Sequence, residues 1–448
     1  MLPEELLKVA EAAVAAAMRR GASAAEAYVS AGRELTVEVR HGQIETLKQA
    51  EEKGIGVRVL RGEQVGFAFG TELSREAVAD VVERALTAAV YTGADAHRRL
   101  PEPGGPYPEQ DLYDAAIDGA TLEEKIGLAR RMEGAALAFD GRVKVIESST
   151  YQEGGGTVAI VNSRGIAAAY RDAACGLYIS LAAEQEGQSE TGYALWFGRR
   201  YHELDPEGLG REAAARAVRL LGAKAAATCS VPVVFDPYVA ADIIGLLGPA
   251  LTAEAVQRGR SLFAGKVGQQ VAATGVSLVD DGTYPGGLRT APCDGEGVPT
   301  RRTVLVQGGV LQGYLYDSYT AAKEGRASTG NAVRGSFRSM PAVGTTNFYL
   351  EPGTSSPEEL VAGVREGLYV MEVMGMHTAN PISGDFSVGA AGMWIKDGAF
   401  AYPVRGVVIA GNMLELLRQV DGVGADLRFF GGRGAPTFRV AALRISGK

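Results

Sequence analysis

The sequence predicts an α+β fold in two domains, and three observations carry that expectation. A chain of 448 residues is long for one domain, and with 46% hydrophobic residues it can bury a sizeable core. Its first half sets capped helices between runs of period-two alternation, the mark of half-buried strands. Its second half is rich in glycine and in hairpin turns, which implies mostly antiparallel sheets. The texture changes between Gly222 and Val231. The expected division is an N-terminal domain over 1–225, mixed α/β with antiparallel strands, and a strand-rich C-terminal domain with a few helices over 226–448.

Leu2-Pro3-Glu4-Glu5-Leu6-Leu7 opens an amphipathic helix that Arg19-Arg20-Gly21 ends. Glu34 to Leu47 alternates through Leu35, Val37 and Val39, with a turn at His41-Gly42. Gly54 to Leu60 and Val65 to Gly70 form a hairpin about Arg61-Gly62-Glu63-Gln64. Ser74 caps a helix running to about Tyr91. Pro101 to Pro108 is a stiff exposed connector.

The same order then repeats, so 1–100 and 115–225 are possible sub-units related by duplication, although no residue-level similarity links them. Thr121 and Glu124 form a capping box for a helix to about Phe139. Strands are expected at Val143 to Ser148 and Gly156 to Val161, with Gly154-Gly155-Gly156 a flexible turn. After a turn at Asn162-Ser163-Arg164-Gly165, long strands cover Ile166 to Ala183, and Asp205-Pro206 starts a helix that ends at Gly222. Beyond the boundary, Val231 to Phe235 is a short buried strand. Gln307-Gly308-Gly309 and Lys396-Asp397-Gly398 fold two hairpins, and Ser356-Pro357-Glu358-Glu359 opens a capping-box helix.

Composition excludes several classes. A net charge of -8 argues against a nucleic-acid surface, because phosphate binding wants a basic patch. Cys175, Cys229 and Cys293 are an odd number without clustered spacing, so no disulfide framework is implied and a reducing cytoplasm fits. The N-terminus puts acid where a signal peptide needs base. The longest apolar stretch, Val239 to Leu251, is too short to span a bilayer and contains Asp242. A soluble cytoplasmic protein is expected, with neither nucleic acid nor membrane as partner.

Local motifs for chemistry are weak. His41, His97, His202 and His377 lie too far apart for a local metal motif and read as solvent-facing or structural. Gly259 to Val267 imitates a phosphate loop, with one residue too many between the glycines and Val267 where Ser or Thr must hold magnesium. Asp280 and Asp281 end a strand; they suit a general base or a magnesium site, but Asp-Gly at 281–282 favours a plain turn.

The most informative stretch is 236 to 266. Asp236 is a good N-cap and Pro237 a good first helical residue for an apolar helix through Ile243-Ile244-Gly245-Leu246-Leu247-Gly248-Pro249. Ser261-Leu262-Phe263-Ala264-Gly265-Lys266-Val267-Gly268 follows. With Ser328-Thr329-Gly330-Asn331, Asn347 to Gly353, Ser383-Gly384-Asp385-Phe386-Ser387 and Ile409-Ala410-Gly411-Asn412, this pattern resembles the TldD/PmbA (TldD/TldE) family of proteases, once called modulators of DNA gyrase. The match is good over about 230 to 445 and loose before that.

In the TldD subunit this helix carries a metal-binding His-Glu-x-x-x-His. The alignment puts Ile244 and Pro249 at the histidines and Gly245 at the Glu; none can ligate a metal or act as a base. His-x4-His spacing sets its residues about 140° apart on a straight helix, so the helix should bend or end there, and Gly248-Pro249 would supply the break. The family's third ligand, a late cysteine, is also missing: Asp426 to Thr437 holds none. The resemblance is therefore to the PmbA (TldE) type. No catalytic, cofactor-binding or metal residue is assigned to this chain, and the zinc is expected in a TldD-type partner. What the resemblance implies is a non-catalytic subunit of a protease acting on unfolded peptides, as a heterodimer with a TldD-type chain or as a homodimer. Two alternatives remain open. One is a stand-alone peptidase assembled from distant residues such as Asp280, Asp281, His377 or Cys293. The other is a peptide- or protein-binding regulator of the gyrase-modulator kind.

Overall fold

The computed structural model describes residues 1–447. The first half runs α1 (Pro3–Arg19), β1 (Ala24–Arg40), β2 (Gln43–Arg61), β3 (Gln64–Gly70) and α2 (Arg75–Val90). After the connector come α3 (Ala115–Gly119), α4 (Leu122–Phe139), β4 (Val143–Asn162), β5 (Ala167–Gln185), β6 (Gln188–Gly198) and α5 (Pro206–Leu220). The second half begins with β7 (Cys229–Phe235), α6 (Pro237–Gly245), α7 (Leu247–Ala250) and α8 (Ala253–Gln257). It continues through β8 (Leu278–Asp281), β9 (Arg302–Gln307), β10 (Val310–Leu311), α9 (Ser318–Lys323), β11 (Ala332–Val333), β12 (Ala342–Val343) and β13 (Phe348–Leu350). Then follow α10 (Pro357–Ala362), β14 (Glu366–Met374), β15 (Asp385–Lys396), β16 (Ala399–Asn412) and α11 (Met413–Arg418). The last strands are β17 (Val420–Val423), β18 (Arg428–Phe430), β19 (Arg433–Ala435) and β20 (Phe438–Ser446). The fold is α+β, as the sequence predicts.

The first half builds one antiparallel sheet in the order β3-β2-β1-β4-β5-β6. Its two helix–strands–helix units meet at the β1–β4 pairing and are built alike. A Cβ on Gly66 of β3 would stand 2.0 Å from the Ala85 carbonyl oxygen and 2.5 Å from the Ala89 nitrogen of α2. One on Gly192 of β6 would stand 2.3 Å from the Ala213 carbonyl oxygen and 2.6 Å from the Ala217 nitrogen of α5. Each unit thus lays a helix directly on its outer strand through one glycine and an Ala-x3-Ala pair. This correspondence is too small to find without knowing which residues touch.

Gly154-Gly155-Gly156 is a correction. It is not a turn but the middle of the unbroken strand β4. A Cβ on Gly155 would meet the Asp172 carbonyl oxygen at 2.5 Å, and one on Gly156 the Ala31 carbonyl oxygen at 2.5 Å. The glycines let neighbouring strands approach, a non-local reason that local turn propensity cannot reveal.

Side chains alternate across a strand, so parity assigns faces. Ala25, Ala27 and Val29 enter the core under α1 and α2, while Val37 and Val39 enter the core under α4 and α5. All are odd-numbered, so every long helix of this half covers the same face. The other face carries Glu26, Gly54, Gly56 and Arg58 and receives the second half. Phe337 lies over Gly54, where a Cβ would stand 2.3 Å from its ring. Beside it, Arg58 pairs with Glu26 at 2.6 Å and with Glu296 at 2.9 Å, all buried. Arg334 closes the network onto Glu26, and the Ser318 hydroxyl donates to Glu296 at 2.6 Å.

The second half has two larger sheets, β10-β9-β8-β13-β19-β18 and β16-β15-β14-β7-β20-β17. Pairing of β16 with β20 closes five strands of the latter into a ring. Among the named strands of the described residues, only β7–β14 and β13–β19 pair in parallel. No described helix is long and apolar enough to cross a membrane.

The glycine seats make a testable claim. Gly192→Ala should lower stability in urea unfolding by about 1–3 kcal/mol, the range for overpacking against groups that cannot yield. Gly119→Ala, whose Cβ would meet nothing within 4 Å, should stay within about 0.5 kcal/mol of wild type. Equal effects would contradict the seating of α5 on β6.

Candidate functional site at the start of the second half

The site begins with a cap. Asp236 caps α6 by accepting from the Tyr238 N–H at 3.1 Å, as the sequence predicts. The same carboxylate takes both contacts, at 3.1 and 3.2 Å, of Nη1 of Arg216, which comes from α5 in the first half. Arg216 also donates to the Met371 carbonyl at 2.7 Å and stacks 4.4 Å above the Tyr238 ring. The Tyr369 hydroxyl donates to Asp236 at 3.1 Å. Arg428 of β18 bonds Glu212 of α5 at 2.8 Å and the Tyr238 hydroxyl at 3.3 Å. Helix α6 is thus held at its N-terminus by groups from both halves.

The helix is interrupted two to three residues earlier than expected, at a residue that keeps helical dihedrals (φ -64°, ψ -23°). The interruption falls at Leu246, between α6 and α7, and not at Gly248-Pro249. Pro249 has no N–H to return to the Gly245 carbonyl, so the ladder fails four residues before the proline. Ile244 is fully buried in the core, Gly245 is half-buried and Pro249 is exposed.

The space over Gly245 is filled by Arg433 of β19. A Cβ on Gly245 would come within 2.4 Å of the Arg433 Cδ. Its Nη1 lies 3.0 Å from Oδ1 of Asp242, one turn back on α6; the two side chains are 51% and 39% exposed. Burial pushes the Asp242 carboxyl above its ordinary range, with Arg433 pulling the other way. Sequence reasoning missed this pair. The signal was there: a lone acid on an apolar helix wants a cation, and a glycine one turn on leaves it room.

A metal at this position would need ligands that the residues do not supply. Hydrocarbon, glycine and a permanently charged guanidinium are no zinc donors. Among the described residues, no three His, Cys, Asp or Glu side chains gather closely enough to hold a metal ion. His41 sits in the β1–β2 turn at φ 51°, and His202 and His377 lie in separate single-turn 3₁₀ helices.

The other candidates are absorbed by the fold. Asp280 is buried and accepts from Asn331 Nδ2 at 2.6 Å and from the Thr346 N–H and hydroxyl at 2.7 Å each. Burial pushes its carboxyl up to about 6 against those three bonds. Asp281 forms the turn that Asp-Gly favours, accepting from the Thr283 N–H at 2.8 Å. Cys293 is buried against Ile160 and Ala168, and burial raises its thiol well above the ordinary range, away from thiolate chemistry. In the phosphate-loop look-alike, the Ser261 hydroxyl donates to the Ala250 carbonyl at 2.5 Å and Phe263 is fully buried, which makes it a core-anchored turn.

Comparison with known proteins places this architecture in a family. Models described as PmbA/TldA metallopeptidase domain 1, central domain and C-terminal domain match residues 25–89, 116–221 and 228–447. Metalloprotease PmbA of Escherichia coli O157:H7 is 31% identical over 94% of this chain and 92% of its own length. The metalloprotease PmbA homolog of Haemophilus influenzae is 30% identical over 99% and 96%. A solved Thermotoga maritima protein described as a modulator of a DNA gyrase superposes with a TM-score of 0.91 at 29% identity, covering 98% and 99% of the two chains. TldE from Thermococcus kodakarensis shares the fold, with a TM-score of 0.92 at 24% identity, over 98% and 100%. The chain belongs to the PmbA/TldD metallopeptidase family.

Two substitutions test the site. Arg216→Met should cost roughly 3–5 kcal/mol in unfolding free energy, because it leaves the buried Asp236 carboxylate uncompensated. Gly245→Ala should cost under about 1 kcal/mol, since only a flexible side chain must move, yet it should break the Arg433–Asp242 pair. A crystal structure of Gly245→Ala with that pair intact would contradict the packing described.

Proposed function

We propose that this chain is the metal-free subunit of a two-chain metalloprotease of the family's type, acting on unfolded peptides. A TldD-type partner would hold the zinc. The observation that carries the reading is the occupancy of the family's metal helix. Ile244 is spent on the core, Gly245 makes room for Arg433, and Pro249 breaks the ladder. The frame of the site is kept: the cap, the break and the packing of α6 against the late hairpin of β18 and β19.

In this reading the chain shapes the cleft and supports its partner. Related subunits commonly meet about a two-fold axis, and a permanent pair buries roughly 2,000 Å² or more. An extended peptide would be held by main-chain pairing to an open strand edge. The cytoplasm is the compartment that fits three unpaired cysteines.

Reconstitution tests the proposal. The purified chain should not cleave an unstructured peptide such as casein fragments; a TldD-type chain together with this one should. Proteolysis by the isolated chain that survives removal of contaminating proteases would point to a stand-alone peptidase. No proteolysis with any TldD-type partner, alongside stable capture of a protein target, would favour the regulator reading.

A further inference from the structure

An open surface pocket of about 490 Å³, whose arginines are themselves exposed, lies between Arg99–Gly104 and the segments carrying Val298, Arg301 and Arg326, where the chain leading into the connector crosses the second half. It is remote in sequence from α6 and takes no part in the family site. Three guanidinium groups line it, from Arg99, Arg301 and Arg326, against one lining carboxylate, Glu102.

Those charges are poorly matched within the protein. Among the described residues Arg99 has no ion pair and donates no side-chain hydrogen bond. Arg301 donates once, to the Ser328 carbonyl at 2.8 Å, a neutral acceptor. Arg326 stands 3.5 Å from Glu324, and that carboxylate already accepts from the Tyr316 hydroxyl at 2.8 Å and Gln257 at 2.9 Å. Nearby, Arg98 and Lys323 each stand 4.1 Å from the Tyr319 ring, and Asp95 balances Arg98 at 3.8 Å while accepting from the Tyr319 hydroxyl at 2.7 Å. This local excess of positive charge sits on a chain of net charge -8.

Like charges around one cavity repel, and an anion shared among them relieves that repulsion. The planar fork of arginine matches the oxygens of phosphate and carboxylate in particular. The volume is in the range of small-molecule sites, too small for a folded partner. We propose that this cavity binds a small multivalent oxyanion, phosphate or polycarboxylate in type, clamped by Arg99, Arg301 and Arg326. Because Arg99 lies two residues before the connector, a bound anion ties the start of the connector to the second half.

Titration calorimetry on the full chain tests this, with tripolyphosphate and citrate as the two probes at low and at raised salt. One anion should bind per chain, more weakly as salt rises. Arg99→Gln and Arg301→Gln should each weaken binding roughly tenfold, the size of one charge-assisted hydrogen bond. Arg99 has no partner to lose, so its variant should unfold at the wild-type midpoint. Arg19→Gln, on the exposed surface of α1, should bind as wild type. Preference for tripolyphosphate identifies phosphate as the natural group, and preference for citrate identifies carboxylate. No saturable binding of either anion overturns the proposal, as does affinity unchanged in both cavity variants or lowered equally by Arg19→Gln.

Discussion

The buried pair between Arg216 and Asp236 is the contact on which the arrangement around α6 depends. One carboxylate caps the helix, receives an arginine from the other half and accepts from Tyr369. Burying such a pair is expensive, and Arg216 still leaves its Nε without a partner. Its value is positional: it ties the direction of α6 to α5, so the helix cannot move independently of the first half. The Arg334–Glu26–Arg58–Glu296 network does the same on the far face of the sheet. Two buried ionic joints fix the halves in register, where an apolar seam alone would tolerate sliding.

That rigidity sets the frame of the site that the proposed function treats as metal-free. Pro249, which has no amide hydrogen to give, leaves the Gly245 carbonyl without its helical partner next to the interruption at Leu246. The approach of β19 to α6 needs only the missing side chain at Gly245. Arg433 and Asp242 then fill the space with an ion pair, half-exposed and therefore worth little in stability. In the proposed two-chain protease, this face contributes shape and support to a partner that carries the reaction.

Much of the fold was legible in the sequence because its signals are local. Ser74, Thr121 and Ser356 cap helices where their spacing to the next acid or amide predicts, and the hairpin at Gly62-Glu63 turns where expected. Non-local features were not legible. Gly154-Gly155-Gly156 is strand because two neighbouring backbones press on it, and nothing within the triplet says so. The start of β1, from Ala24 to Arg33, lies outside the alternating run that begins at Glu34. At the site, the resemblance sets Ile244, Gly245 and Pro249 at the family's ligand positions, and the chemistry of those three residues reads directly from the sequence. The group that takes their place does not, because Arg433 reaches α6 from nearly two hundred positions along the chain and only the fold brings them together.

Zinc content, measured by elemental analysis on this chain alone and on its purified complex with a TldD-type subunit, is the most direct test of the central claim. The account predicts no stoichiometric zinc in the isolated chain and one zinc per complex, retained when Gly245→Ala or Asp242→Asn is introduced here. One tightly held zinc per isolated chain, or loss of the complex's zinc on changing Asp242, would contradict it.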